Sequence, residues 1–364
     1  MAKTSRALIY SALLSATASV NAADLNIHGF MSVGGGFLSN DEITDPVTGQ
    51  QSGYAGYDDA ASFSPDTIIG LQFNSQVNDK TSVTAQLVSR GIDDYDTEAA
   101  WAYASYDVTD DLTVKVGRIR TPFYYFSEFL EVGYAYNWIR PNPLVYRLDF
   151  ISSIDGIDLT QSFTAGSLDG SVKVYYGRDD FNDLALTDSI RVDGEIKNFG
   201  GVILNLSLDN VSTRFSYHQA EATSEASDPS FVLASELSAE DESYSFVEAA
   251  IAYDDGNWFA FGEWTAIETD ILFDNDDTAY MLSAGKHFDN LMLHITYANV
   301  EEDGESNRLV TEDTEQQSIA LGVRYDFDTG TAFKFEVEQY DRDLGSDALD
   351  NDAVLYSFAV DTVF

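Results

Sequence analysis

Hydrophobic and polar positions alternate along most of the chain with a period of two. That is the period of a β-strand, whose successive side chains point to opposite faces. Leu204, Leu206 and Leu208 mark one face, with Asn205 and Ser207 on the other. Val211, Thr213, Phe215 and Tyr217 oppose Ser212, Arg214, Ser216 and His218. Leu291, Leu293, Ile295 and Tyr297 oppose Met292, His294 and Thr296, and Phe333, Phe335 and Val337 oppose Lys334, Glu336 and Glu338. Helical spacing is nowhere sustained.

Two kinds of connection separate these segments. One kind is short and carries turn chemistry: Asn78-Asp79-Lys80, Thr109-Asp110-Asp111, Ser167 to Gly170, Asp209-Asn210, Asp254 to Asn257, Asp289-Asn290 and Thr329-Gly330, all suited to tight hairpins. The other kind is long and mostly acidic, at 39–63, 91–97, 120–153, 178–193, 221–242, 268–277, 301–314 and 341–351. Seven short and eight long connections alternate, which predicts an all-β fold of 16 antiparallel strands with the turns at one end and the loops at the other. That asymmetry favours a transmembrane barrel, apolar outside and polar inside, over a soluble sandwich. Aromatics near strand ends (Tyr253, Trp258, Phe288, Phe327, Phe364) fit an interfacial girdle. Tyr356, Phe358, Val360 and Phe364 share the outward face of the last strand. That strand is expected to pair with the first, near Leu25 to Phe37, because lipid tolerates no unpaired edge.

Composition narrows the function classes. Asp plus Glu number 62 against 19 Lys plus Arg, a net charge of −43, which argues against a nucleic-acid partner. The 44% hydrophobic content argues against disorder. Cysteine is absent, and His28, His218, His287 and His294 have no metal-motif spacing, so no metal or cofactor is expected. No apolar run is long enough for a membrane helix. Residues 1–22 read as a signal peptide: Lys3 and Arg6, an apolar stretch from Ala7 to Val20, then small residues at Val20-Asn21-Ala22. The barrel then occupies 23–364, and loss of Lys3 and Arg6 takes its charge from −43 to −45.

The signal segment, the sixteen strands, the long segment after the fifth strand and the C-terminal aromatic together resemble the Gram-negative trimeric outer-membrane porins, the 16-stranded diffusion porins. Val116-Gly117-Arg118-Ile119-Arg120-Thr121-Pro122-Phe123 is similar to the end of the fifth porin strand, ahead of the loop that folds into the lumen. Val132-Gly133-Tyr134-Ala135-Tyr136-Asn137-Trp138-Ile139-Arg140-Pro141 resembles the constriction loop of a less-studied branch. The resemblance implies passive diffusion of small hydrophilic solutes and ions, without enzyme activity. It also implies an outer-membrane location among lipid and lipopolysaccharide, a homotrimer, and insertion by the barrel-assembly machinery. The chain departs from the general porins in having only Arg90 where they carry a dense arginine run on strands two to four.

The 120–153 segment is too long for a hairpin and is rich in aromatics, with Glu128, Glu131, Arg140, Arg147 and Asp149 among them. It either folds inward as a constriction loop or lies outside as a lid over other loops or a subunit contact. By parity Arg90, Lys115, Lys173, Lys197 and Arg214 form a basic arc facing it, and Glu248, Glu263, Arg324, Lys334, Glu336 and Glu338 a more acidic wall. Such charges set ion preference in pores, unless they pair with one another. Arg118 and Arg120 fall on the opposite parity from Lys115, which sets them outside the pore lining, either at a subunit contact or above the membrane. The acidic loops would draw cations to the mouth; a barrel acting through them as adhesin or receptor is the alternative function. Asp274, Asp276 and Asp277 lack the spacing of an EF-hand. His218 and His294 point inward, but no Ser–His–acid triplet stands out.

Overall fold

A computed structural model of the chain describes residues 25–39, 53–148, 151–185, 191–226, 239–270, 276–303, 313–343 and 351–364. The expected signal segment and Asp149 lie outside them. The described residues form β1 (Leu25–Leu38), β2 (Ile68–Asn78), β3 (Thr81–Arg90), β4 (Thr97–Asp107), β5 (Leu112–Arg120), β6 (Ser153–Ala165), β7 (Leu168–Ala185) and β8 (Arg191–Leu208). They continue as β9 (Val211–Ala226), β10 (Ala239–Asp254), β11 (Trp258–Thr269), β12 (Asp276–Phe288), β13 (Leu291–Asp303), β14 (Thr314–Asp328), β15 (Thr331–Asp343) and β16 (Asn351–Val363). Neighbouring strands pair antiparallel, and the sheet closes through β1 and β16, from Phe30 opposite Val363 to Leu38 opposite Leu355.

Six of the seven short turns fall where their Asn, Asp and Gly residues place them, between β2 and β3, β4 and β5, and so on in alternate order; the one expected at Ser167 to Gly170 lies at Gly166-Ser167, with Leu168 to Gly170 already in β7. The strands reach further into two of the expected loops. β7 runs to Ala185 and β8 starts at Arg191, within 178–193; β9 runs to Ala226 and β10 starts at Ala239, within 221–242. A ladder needs only backbone pairs, so outside an apolar medium both faces of a strand can be polar.

The faces are inverted relative to a soluble protein. On β9, Phe215 and Tyr217 are each 49% exposed while Arg214, Ser216 and His218 are buried. Leu293 and Ile295 on β13, Ile319 and Leu321 on β14, and Phe335 on β15 are likewise exposed. Their polar neighbours His294, Thr296, Ser318, Lys334 and Glu336 are buried inside.

Gly117 in β5 takes φ +133°, and the register to β4 and β6 runs through it without a shift. Beyond it Ile119 and Arg120 are both buried. Arg120, expected outside, is the last residue of β5 and turns in to meet Glu131 at 3.2 Å. A Cβ at Gly117 would stand 2.3 Å from the Ala102 carbonyl oxygen, and a non-glycine backbone in that region costs about 1–3 kcal/mol. Gly117→Val should therefore reduce the yield of folded barrel, read as the compact band of an unheated gel. A wild-type yield would show that β5 can be built without this backbone conformation.

Candidate functional site

The connection between β5 and β6 lies against the inner faces of β9 to β16. A buried loop must place its backbone polar groups, and charged wall residues take many of them. The Tyr125 N–H donates to Glu263 at 2.8 Å and the Ile139 N–H to Glu336 at 3.1 Å. Lys334 donates to the Gly133 and Trp138 carbonyls, both at 2.6 Å. Arg324 donates to those of Tyr134 and Tyr136 at 3.0 and 2.8 Å, and Arg214 to that of Pro122. Side chains add Tyr146 Oη to Glu263 at 2.6 Å, Asn142 Nδ2 to Glu338 at 3.0 Å and Trp138 Nε1 to Thr296 at 2.7 Å. Hydrogen bonds to charged partners are about twice as strong as neutral ones.

Between these ties the segment packs aromatic on aromatic. Tyr124 stacks on Tyr146 at 4.4 Å, Phe123 meets Phe246 edge-on at 5.1 Å, and Trp138 meets Phe259 at 5.7 Å. The end of the β1–β2 connection joins from the other side. Tyr54 donates to Glu338 at 3.0 Å and stacks on Tyr340 at 4.1 Å. Arg140 Nε donates to Asp66 at 2.8 Å, with its guanidinium 5.4 Å from the centre of the Tyr57 ring. Burial and the neighbouring Asp66 push the Tyr57 hydroxyl above its ordinary pKa.

Most of the anticipated charges are partnered. Arg90 binds Glu131 at 2.5 Å and also Glu98; burial works against the Glu131 charge, but Arg120 and Arg90 bring its carboxyl below the ordinary range. Arg147 binds Asp277. Arg214 Nε lies 3.2 Å from Glu248. Lys173 meets Glu128, and Asp158 at 3.5 Å. The Lys115 ammonium sits 5.2 Å from the centre of the Tyr103 ring.

Lys197 stands apart from the arc in which parity placed it. Asn198 adopts φ +49°, and the β8–β9 register shifts between Lys197 and Gly200. Lys197 consequently pairs with Glu195 at 2.5 Å and Asp241 at 3.5 Å, beside the β9–β10 connection.

Lys115, Lys173, Arg214 and Glu128 line one cavity of about 920 Å³ with the aromatics Tyr124, Tyr125, Phe126 and Phe129. Lys173 above all, with Lys115 and Arg214 adding and burial opposing, holds the Glu128 carboxyl at about 2. At the loop end, Glu268, Asp276, Asp277, Glu301 and Glu302 line an acidic recess of about 780 Å³. Asp274 lies outside the described residues, among which no group of three or more His, Asp or Glu has the geometry to hold a metal ion. Asp66 and Tyr54 enter this network without any sequence signal that singles them out, and Asp277, noted in the sequence only for its acidic loop, enters it as the partner of Arg147.

No protein-family model and no curated protein matches the sequence. Solved structures do. In-vitro folded OmpT, an outer membrane protein of Vibrio cholerae in its trimer form, superposes with a TM-score of 0.60 at 14% identity over 94% of this chain and 100% of that one. The outer membrane channel DcaP of Acinetobacter baumannii gives 0.58 at 13% over 94% and 97%. The anion-selective porin from Comamonas acidovorans gives 0.54 at 13% over 94% and 100%. At these identities the likeness is one of fold, the closed barrel of 16 antiparallel strands.

Proposed function

We propose that the chain is an outer-membrane channel passing small hydrophilic solutes and ions by passive diffusion. The observation that carries this reading is the inversion of faces: exposed Leu, Ile, Phe and Tyr outside a closed barrel, ionised and amide side chains within. Only lipid makes such an exterior favourable. The segment after β5 acts as the constriction, forcing solutes past the cavity that holds Lys115, Lys173 and Glu128. Residues 1–22 serve as the export signal, and the barrel lies among lipid and lipopolysaccharide after insertion by the assembly machinery. The trimer form of OmpT supports a homotrimer here as well. No step of this mechanism calls for a catalytic group; transport needs a solute gradient, a size limit and the field of the wall.

The test is reconstitution of residues 23–364 in a planar bilayer with potassium chloride on both sides. Stepwise, ohmic current increments are expected, and lipid vesicles carrying the same protein should swell in small sugars. A barrel that inserts but carries no current and admits no solute would sink the channel reading.

A further inference from the structure

Lys286 lies on the outward face of β12, two residues before that strand ends at the Asp289-Asn290 turn. Leu282 and Phe288, both exposed, share its parity, and the buried Met281 and Ser283 take the other. Register sets Lys286 opposite Trp258 on β11 and Leu293 on β13. Its ammonium sits 4.6 Å from the centre of the Trp258 ring and 5.2 Å from that of Phe288. Among the described residues the other strand cations toward the tight-turn end, Lys115, Lys173, Arg214, Arg324 and Lys334, all face inward.

A cation on the outside of a barrel in lipid is costly unless it reaches the headgroups or meets a counter-charge. Lys286 makes no ion pair among the described residues. Acids of the adjoining β10–β11 turn are held elsewhere. Asp254 accepts the Gly256 N–H at 2.8 Å, and Asp255 accepts from the Tyr253 hydroxyl at 2.8 Å and the Trp258 N–H at 2.7 Å. Two exposed rings hold the ammonium by cation–π attraction, at the height where aromatic residues meet the headgroups. Further along the same face the surface is apolar: Ala260 stands opposite Ala284, and Ala284 opposite Ile295, which is exposed like Leu293. The outer wall thus offers a positive point at one end and an apolar strip beyond it. A free inorganic anion matches only the first. An anionic amphiphile matches both, with its phosphate at the ammonium and its acyl chains along Leu293 and Ile295. Short turns of such barrels face the periplasm, so the lipid belongs to the inner leaflet.

We propose that Lys286, Trp258 and Phe288 form a headgroup site for an anionic phospholipid of the periplasmic leaflet. The site rests on the membrane reading above for its surroundings but not on conduction. The test reconstitutes residues 23–364 in vesicles with Trp264→Phe as the parent, because Trp258 and Trp264 are the two exposed tryptophans. Quenching of tryptophan fluorescence by brominated phosphatidylglycerol in phosphatidylcholine, and by the converse mixture, gives the relative affinity of the two lipids beside Trp258. The parent should prefer phosphatidylglycerol about fivefold, the worth of one lysine at an anionic headgroup. Lys286→Gln, an outward change that leaves the ladder intact, should abolish that preference, and Lys286→Arg should keep it. Replacing chloride by inorganic phosphate at equal ionic strength should leave the preference as it is; its loss there would give the ammonium to a free anion and overturn the lipid site. Equal preference in the parent and Lys286→Gln overturns it as well. A barrel that conducts ions but shows no lipid preference removes the site and leaves the channel; one that shows the preference but never conducts does the reverse.

Discussion

Replacing Glu263 and Glu336 together by leucine is expected to raise single-channel conductance severalfold. Those two carboxylates accept from the Tyr125 N–H, the Tyr146 hydroxyl and the Ile139 N–H, at 2.8, 2.6 and 3.1 Å. Both are buried on the inner wall, on β11 and β15. Leucine removes the acceptors but leaves the donors, and each donor stranded in a buried site costs about 1–3 kcal/mol. The segment recovers that cost by moving to where water reaches its backbone, which widens the lumen. Glutamine in both places is the control, because its carbonyl oxygen still accepts from each backbone N–H. That variant should stay near the wild-type conductance. Equal conductance of the leucine variant and wild type, in well-formed barrels, would mean that the aromatic contacts alone hold the segment in place. It would also remove these carboxylates from the account of the constriction.

The barrel was legible because its cause is local. Lipid on one side and polar side chains on the other impose a period of two on each crossing strand, and Asn-Gly-Asp chemistry marks each tight turn. Where strands run past the apolar zone that constraint lapses, so the ends of β7 to β10 carry no such signature. Within the site, parity identified the face of Lys115, Lys173 and Arg214, which do share a cavity with Glu128. It failed at Lys197, where Asn198 in the left-handed region sits inside a shift of the β8–β9 register, and at Arg120, the last residue of β5, whose side chain reaches Glu131 of the following segment. Partners were harder to read than faces. Arg140 meets Asp66 across 74 positions, Arg147 meets Asp277 across 130, and Tyr54 meets Glu338 across 284. Alternation says that Glu263, Glu336 and Lys334 look inward; it says nothing of the aromatic segment that takes them before any solute does.

Ion preference should turn on Glu128. Lys173, Lys115 and Arg214 all act on this one carboxylate, which lines the cavity beside them. Two of the three cations have other acids in reach, Asp158 for Lys173 and Glu248 for Arg214, while Lys115 makes no ion pair among the described residues. Glu128→Gln therefore uncovers positive charge in that cavity, which the proposed channel puts on the path of the ion. Removing one charge about 4 Å from a permeating ion changes its energy by about 1 kcal/mol even at the dielectric constant of water, roughly a fivefold effect on each ion. Reversal potentials in a potassium chloride gradient should move clearly toward chloride, and Lys115→Gln should move them the other way. Charges in the acidic recess at the loop end act over only about 8–10 Å at physiological salt, so the Glu128 effect should persist as salt is raised while theirs fades. The pH dependence has a definite sign. The carboxyl is depressed from an ordinary 4.5 to about 2, so its contact with Lys173 is fully stabilising above 4.5 and is lost as pH falls from there through 2. Between pH 8 and pH 5 the wild-type preference should show no step due to Glu128, and the glutamine variant should differ from wild type throughout that range. Identical reversal potentials for the two proteins at every salt concentration would place Glu128 away from the ion path, and the constriction with it.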